Sequence, residues 1–261
     1  MQDTEARVTR ATREIAALLM KARRVLLITG AGISADSGLP TYRGLGGLYE
    51  HDLTEEGLPI EEALSGEMLR RRPEIPWKYL AAIEKNCRVA GPNAAHRWIA
   101  RWEETLPYVM VLTQNIDGLH RAAGSENVVE IHGDVHRLRC TRCDYRTRTE
   151  SLSAKNVPPP CPECGAALRP EVVLFGEMLP ERELERFLAA LAKGFDMVFS
   201  IGTTSVFPYI AQPMLQAIQR GIPSVEINPG RTHLSSRVTY QIPLGAAEAL
   251  TMIAGEMEAL I

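Results

Sequence analysis

The stretch Val25–Thr29, VLLIT, is almost wholly apolar and runs straight into Gly30-Ala31-Gly32. A short apolar run closed by glycine reads as a strand buried on both faces, the kind found in parallel sheets. Glycines at its end let backbone N–H groups approach a phosphate, and Gly30, Gly32 and Ala35 meet the relaxed dinucleotide spacing G-x-G-x-x-G/A. That spacing commits the chain to an α/β sheet with a nucleotide at its edge. The usual companion, a second apolar strand ending in an acid about twenty residues later, does not follow. Instead the chain continues as GLPTYRGLGGLYEH, a loop, so the ribose-reading strand must arrive later.

Later segments supply it. YVMVLTQNID, NVVEIHGDV, EVVLFGE, DMVFSIGTTS and PSVEINPG read as strands. Helical patterns occupy residues 5–21 (Ile15, Leu18 and Leu19 on one face), AAHRWIARWEE, ERELERFLAALAKG, IAQPMLQAIQRG and a final helix from Gly245. This alternation predicts a Rossmann-like parallel sheet with helices on both faces. In such a sheet ligands lie at the carboxyl ends of the strands. Here those ends are Gly30-Ala31-Gly32, Gln114-Asn115-Ile116-Asp117, Ile131-His132-Gly133, Gly202-Thr203-Thr204-Ser205 and Glu226-Ile227-Asn228. The second small-residue loop, IGTTS, can approach a phosphate, and VEIN offers an acid and an amide to a ribose diol. Their convergence points to a dinucleotide.

His132 sits on that edge, where an imidazole is suited to taking a hydroxyl proton near neutral pH, and Gly133 is expected to leave room beside the ring. His120 and His136 are weaker candidates for the base; His51, His96 and His233 read as structural or solvent-facing. Asp117 is either a helix N-cap in NIDGLH or, with Asn115, a holder of a carboxamide and a ribose.

Cys140, Cys143, Cys161 and Cys164 form two C-x₂-C pairs with a spacer inside the ~15–20 residues of a four-cysteine zinc pattern. Four thiolates leave no position open, so one structural Zn²⁺ per chain is expected. Two disulfides are the alternative. Cys87 stands apart, in KNCRVAG, and reads as a buried apolar filler.

At 261 residues the chain suffices for a large domain with a small insert, and a net charge of -3 gives no reason to expect nucleic acid or an anionic membrane as a bulk partner. RLRCTRCDYRTRT is locally basic but reads as a solvated face. The N-terminal twenty residues carry acids and an amphipathic pattern, unlike a signal peptide, and no apolar run reaches the ~18 residues of a membrane span. A cytoplasmic location is expected.

Taken together, GAGISADSGLPTYRG, TQNIDGLH, IHG, the paired cysteine knuckles, VVLFGEMLP, GTTSVFP and EINPG resemble the sirtuins, NAD-dependent protein deacylases, in their order and over residues 25–250. The resemblance implies an NAD-binding domain over 1–43, 87–136 and 168–261. It adds a small domain with a helical part, 44–86, and a zinc-ribbon part, 137–167. Gly30, Ala31, Gly32, Tyr42 and Arg43 would hold NAD near its phosphates and inner ribose. Gln114, Asn115, Ile116 and Asp117 would face the nicotinamide half, with Asn115 close to the chemistry. Gly202, Thr203, Ser205, Asn228, Pro229 and Ala246 would line the adenosine half. His132 would be the general base, and Val173, Phe175 and Gly176 would pair with an acyl-lysine peptide as an added strand. The implied reaction moves the acyl group to ADP-ribose through an alkylimidate and releases nicotinamide.

Departures accompany the match. Many members have Pro-Asp-Phe-Arg where this chain has Pro40-Thr41-Tyr42-Arg43, Thr204 replaces a common serine, and Leu174 a tryptophan found in some. Members that read succinyl or malonyl groups carry a tyrosine with an arginine three residues on; here Tyr79 is followed by Ala82. Neutral acyl groups are therefore expected. Desuccinylation, with Arg70, Arg71 or Arg72 as acid reader, and protein mono-ADP-ribosyl transfer are the alternatives.

Overall fold

The computed structural model describes residues 2–41, 53–149, 151–152 and 157–260, so Tyr42 and Arg43 lie outside the described residues. In chain order the first half forms α1 (Gln2–Leu19), β1 (Val25–Thr29), a 3-10 turn (Ala31–Ser37), α2 (Ile60–Ala63), α3 (Gly66–Arg71), α4 (Glu74–Val89), α5 (Ala94–Thr105), β2 (Val109–Thr113), α6 (Leu119–Ala122) and β3 (Val128–Glu130). The second half forms β4 (Gly133–Cys140), β5 (Arg146–Arg148), β6 (Leu168–Val172), α7 (Glu181–Ala192), β7 (Met197–Ile201), α8 (Pro208–Gln219), β8 (Ser224–Ile227), β9 (Tyr240–Ile242) and α9 (Ala246–Glu258).

Every residue of β1, β2 and β7 is buried, which is why these strands read as unbroken apolar runs rather than alternating ones. They form a six-stranded sheet in the order β3-β2-β1-β7-β8-β9, parallel throughout. One face is covered by α1, α5 and α9 through Ile15, Leu19, Ile99, Leu250 and Ile253; the other by α7 and α8 through Phe187, Ile210 and Met214. From β1 the chain builds outward through β2 and β3 on one side, then returns after the small sheet to add β7 on the other. The ligand crevice of such a sheet opens at that switch, outside the carboxyl ends of β1 and β7.

A second, antiparallel sheet, β5-β4-β6, packs against α4 through Trp77, Leu80, Val135, Leu138 and Leu168. Among the described residues β6 pairs only with β4, so EVVLFGE is not a strand of the parallel sheet: it closes the small one and then leaves it. The small sheet thus draws on β4 and β6 beyond the 137–167 span. Two further differences concern short elements. The glycine loop enters a 3-10 turn, and β9, three residues of which only Ile242 is fully buried, carries no periodic signal. Among the described residues no helix is long and apolar enough to cross a membrane.

Gly133 has a role other than sparing space for an imidazole. Its φ is +87°, and a Cβ there would lie 1.8 Å from the Glu171 carbonyl oxygen, where the end of β6 pairs with the start of β4. Gly133→Ala is expected to destabilise the chain by at least about 3 kcal/mol, combining the left-handed penalty with a backbone overlap. Urea unfolding of the two chains side by side measures it.

Candidate active site

The crevice is built where two glycine loops touch. A Cβ on Gly32 would lie 2.6 Å from the Gly202 Cα, and one on Gly202, whose φ is +59°, would lie 2.4 Å from the Ile33 nitrogen. Gly30 N donates to Ile201 O and Gly32 N to Gly202 O, locking the loops together. Only residues without a side chain permit this approach.

Side chains from the end of β2 lace the two loops. Gln114 Nε2 donates to Thr203 Oγ1 at 2.8 Å. Asn115 Nδ2 donates to the Gly30 carbonyl at 3.1 Å and to Ser34 Oγ at 3.2 Å, and Ser34 donates in turn to Asp117 Oδ2 at 2.7 Å. Asp117 Oδ1 also accepts from Leu119 N, so the helix-capping reading and the crevice reading both describe it. Burial pushes its carboxyl above the usual range, against the pull of those bonds. Ala31, Ser34, Pro40, Asn115, Ile116 and Asp117 line a small cavity. Cys87 borders it too, with its thiol pushed up to about 12 by burial and by the nearby carboxylates, so it is the inert filler expected.

Two residues not singled out in the sequence hold this wall. Ser34 is the hub just described. Asn93 caps α5 and also donates to the Ile33 carbonyl at 2.7 Å and to Ser37 Oγ at 3.0 Å, tying the 3-10 turn to the helix. Beneath it His96 and His120 stack edge to face at 4.9 Å, both buried; burial lowers His96 to about 4 and pushes His120 well below its usual range. Both are neutral and structural.

His132 stands at the end of β3. Its Nδ1 lies 3.0 Å from the Gln114 carbonyl and its Nε2 2.7 Å from the Tyr209 hydroxyl. A carbonyl only accepts, so Nδ1 carries the proton and Nε2 the lone pair. Burial pushes the ring's pKa down, partly offset by the Gln114 carbonyl. The neutral, proton-accepting form therefore prevails at neutral pH. Of the other histidines, His136 lies 3.8 Å from Glu84 and His233 is exposed; His51 falls outside the described residues.

The Val173–Gly176 segment leaves β6 beside His132: Val173 N donates to the His132 carbonyl. Phe175 exchanges both backbone bonds with the protein itself, its N–H to Leu64 O and its carbonyl from Gly66 N. Strand pairing with a peptide at Phe175 is thus pre-empted by segment 64–66, and Phe175 offers its half-exposed ring instead. Buried Arg169 anchors the segment with two bonds, 2.6 and 2.8 Å, to Glu177, whose Oε2 also accepts from Leu174 N.

At the far side, Asn228 Nδ2 donates to the Thr203 carbonyl, Pro229 is exposed, and Ala246 begins α9 with its methyl in the core. Ser205 is buried in a left-handed conformation, φ 54°, with its hydroxyl 3.3 Å from Ser200 Oγ. Glu226 differs from the expectation. Its two oxygens accept from Thr232 and Ser235, so it braces the following loop and offers nothing to a ribose.

The four cysteine sulfurs all lie within 4.8 Å of one another, with Cys140–Cys164 at 3.5 Å and Cys143–Cys161 at 3.6 Å. A disulfide needs about 2.05 Å. Tetrahedral zinc, with Zn–S bonds of about 2.3 Å, sets its sulfurs about 3.8 Å apart. The donor set fits zinc and is not two disulfides. Arginines of the ribbon face acids: Arg137 Glu130 at 2.9 Å, Arg146 Glu171 at 2.6 Å, Arg148 Asp134 at 3.3 Å. Three of the five arginines between 137 and 149 are thereby matched.

A parallel sheet with interlocked glycine loops at its switch point, beside a four-thiolate ribbon, defines a dinucleotide-binding α/β protein carrying a structural metal module. The Sir2 family profile matches residues 30–208. The chain is 51% identical over 242 residues to the NAD-dependent protein deacylase 2 of Pseudomonas aeruginosa, covering 92% of this chain and 94% of that one. It is 38% identical over 251 residues to the NAD-dependent protein deacylase of Pyrococcus furiosus, covering 94% and 97%. Among solved structures, a Sir2 homologue–NAD complex superposes with a TM-score of 0.85 at 34% identity over 95% of this chain and 94% of that one. A Sir2–p53 peptide–NAD+ complex superposes at 0.81 and 29% identity over 94% and 98%. The chain belongs to the Sir2 family.

Proposed function

We propose that the chain is an NAD-dependent protein lysine deacylase, acting on neutral acyl groups and passing them to ADP-ribose. The observation that carries this reading is His132, held as a neutral proton acceptor between the glycine crevice and the Val173–Gly176 segment. NAD, when bound, supplies an electrophilic ribose carbon once nicotinamide leaves. The touching loops at Gly30, Gly32 and Gly202, joined by Ala31 and Thr203, suit its diphosphate, with Asn228, Pro229 and the start of α9 at Ala246 toward the adenosine. Asn115, Ile116 and Asp117 suit the carboxamide half, and Tyr42 and Arg43 are assigned to NAD on the family motif alone. Gly176 would carry the peptide backbone, with Val173 beside it, its N–H already held by the His132 carbonyl. His132 Nε2 takes a ribose hydroxyl proton, and the enclosure of the crevice limits competing attack by water.

The neutral-acyl preference rests on three contacts. Tyr79, which acid-reading relatives pair with an arginine, bonds the carboxylate of Glu56. Arg71 and Arg72 are exposed and bonded to Glu67 and Glu74. The large domain takes 1–43, 87–136 and most of 168–261, the small one 44–86 and the ribbon with its β4 and β6 margins. Four unoxidised thiolates suit the reducing cytoplasm.

Mass spectrometry of acetyl-, butyryl- and succinyl-lysine peptides, incubated with the chain with and without NAD, tests the reading. NAD-dependent loss of a neutral acyl group with O-acyl-ADP-ribose formed is the expected result. Turnover confined to the succinyl peptide overturns the preference, and ADP-ribose appearing on protein in place of deacylation overturns the reaction.

A further inference from the structure

The Tyr209 hydroxyl is the feature that the reaction just proposed does not use. It lies 2.7 Å from His132 Nε2, the atom that must accept the substrate's proton. Since Nδ1–H is committed to the Gln114 carbonyl, the phenol is the donor and Nε2 the acceptor. Geometry reinforces the contact. Phe207 stacks on Tyr209 with centroids 5.6 Å apart, and both rings stand edge-on to the imidazole, at 5.9 and 6.0 Å. Phe207 precedes α8 and Tyr209 is its second residue, so the helix start fixes both rings.

We propose that Tyr209 is a positioning residue for the base: its O–H holds the Nε2 lone pair of His132 in the resting site, and the substrate hydroxyl replaces it there. This rests on the deacylase reading for the identity of the incoming hydroxyl, not for the capping itself. The ring is faced by the Gln114 carbonyl from the end of β2 and by Phe207 and Tyr209 from α8 and its cap. Among these groups Tyr209 is the titratable one in contact, and burial raises its phenol above the usual range, so it stays a donor at neutral pH.

A donor on Nε2 stabilises the neutral imidazole and so opposes its protonation. Tyr209→Phe removes the donor while keeping the ring, so the His132 midpoint is expected to rise by about 0.5–1 pH unit, the size of one neutral hydrogen bond. Nitrogen-15 NMR of the full chain labelled at histidine reads this directly, with His132 assigned by its disappearance in His132→Asn. In the unaltered chain the neutral ring is expected as the Nδ1–H tautomer. In kinetics, the acid limb of kcat/KM, which reports the free enzyme, moves up with Tyr209→Phe; that of kcat, which reports the occupied site, stays in place. A misfolding effect would not separate the two limbs.

An Nε2–H tautomer in the unaltered chain overturns the capping even if the variant fails to fold. So does an unmoved midpoint in a folded Tyr209→Phe chain. Absence of any NAD-dependent deacylation by the unaltered chain overturns the reaction instead, and leaves the tautomer and midpoint to decide the capping independently.

Discussion

Cys161→Ser, or removal of zinc by a chelator, is expected to melt β4, β5 and β6 together while the parallel sheet persists. Beyond the packing of β4 and β6 on α4 and three ion pairs, the metal is what ties the ribbon together. β5 is three residues long with both arginines exposed, and Cys140 and Cys161 are themselves members of the small domain's core. Structural zinc contributes about 10–16 kcal/mol in isolated finger peptides. The loss reaches the crevice through the chain itself. β4 starts one residue after His132, and β6 runs straight into Val173. Native mass spectrometry should count one zinc per chain, and urea unfolding of the stripped protein should show an early transition absent from the intact one. Deacylation should fall with the metal content. A stripped chain that unfolds in the same single transition and keeps its turnover contradicts this account.

His132→Ala should lower deacylation by about 10²–10⁴-fold, the usual contribution of a positioned general base. NAD affinity should survive, because the residues assigned to the dinucleotide are held by side-chain bonds, Gln114 to Thr203 and Asn115 through Ser34 to Asp117, while the imidazole touches only the Gln114 backbone carbonyl. Calorimetric titration with NAD and peptide turnover, measured on one preparation, separate the two effects. Near-normal turnover would remove His132 from the chemistry; a matching loss of NAD binding would make it structural.

The parallel sheet was legible because its buried strands are unbroken apolar runs, each closed by glycine or by polar residues. The same closures marked the crevice at Gly30, Gln114, His132 and Gly202. Spacing alone identified the four thiolates. What escaped were properties set by direction rather than composition. Glu226 at a strand end reads alike whether it faces a ribose or, as here, Thr232 and Ser235. Gly133 looked like space for a ring, but the close antiparallel pairing of β6 with the start of β4 determines it. Tyr209 carries no motif, since its meeting with His132 depends on how α8 is set on the sheet. Phe175 sat in a strand-like run whose partner, Leu64–Gly66, is too irregular to announce itself.

The central pairing of the large sheet, β1 with β7, joins residues about 170 apart in the chain. Closing so long a loop is entropically costly and kinetically slow, so contacts of this kind form late in folding. Gly32 and Gly202 meet only once that closure is complete. A nascent chain therefore holds β1, β2 and their loops without a dinucleotide cradle, and neither half of the polypeptide bears a crevice of its own. NAD is in this sense a ligand of the finished topology, and its binding stabilises the pairing that the chain has most difficulty reaching.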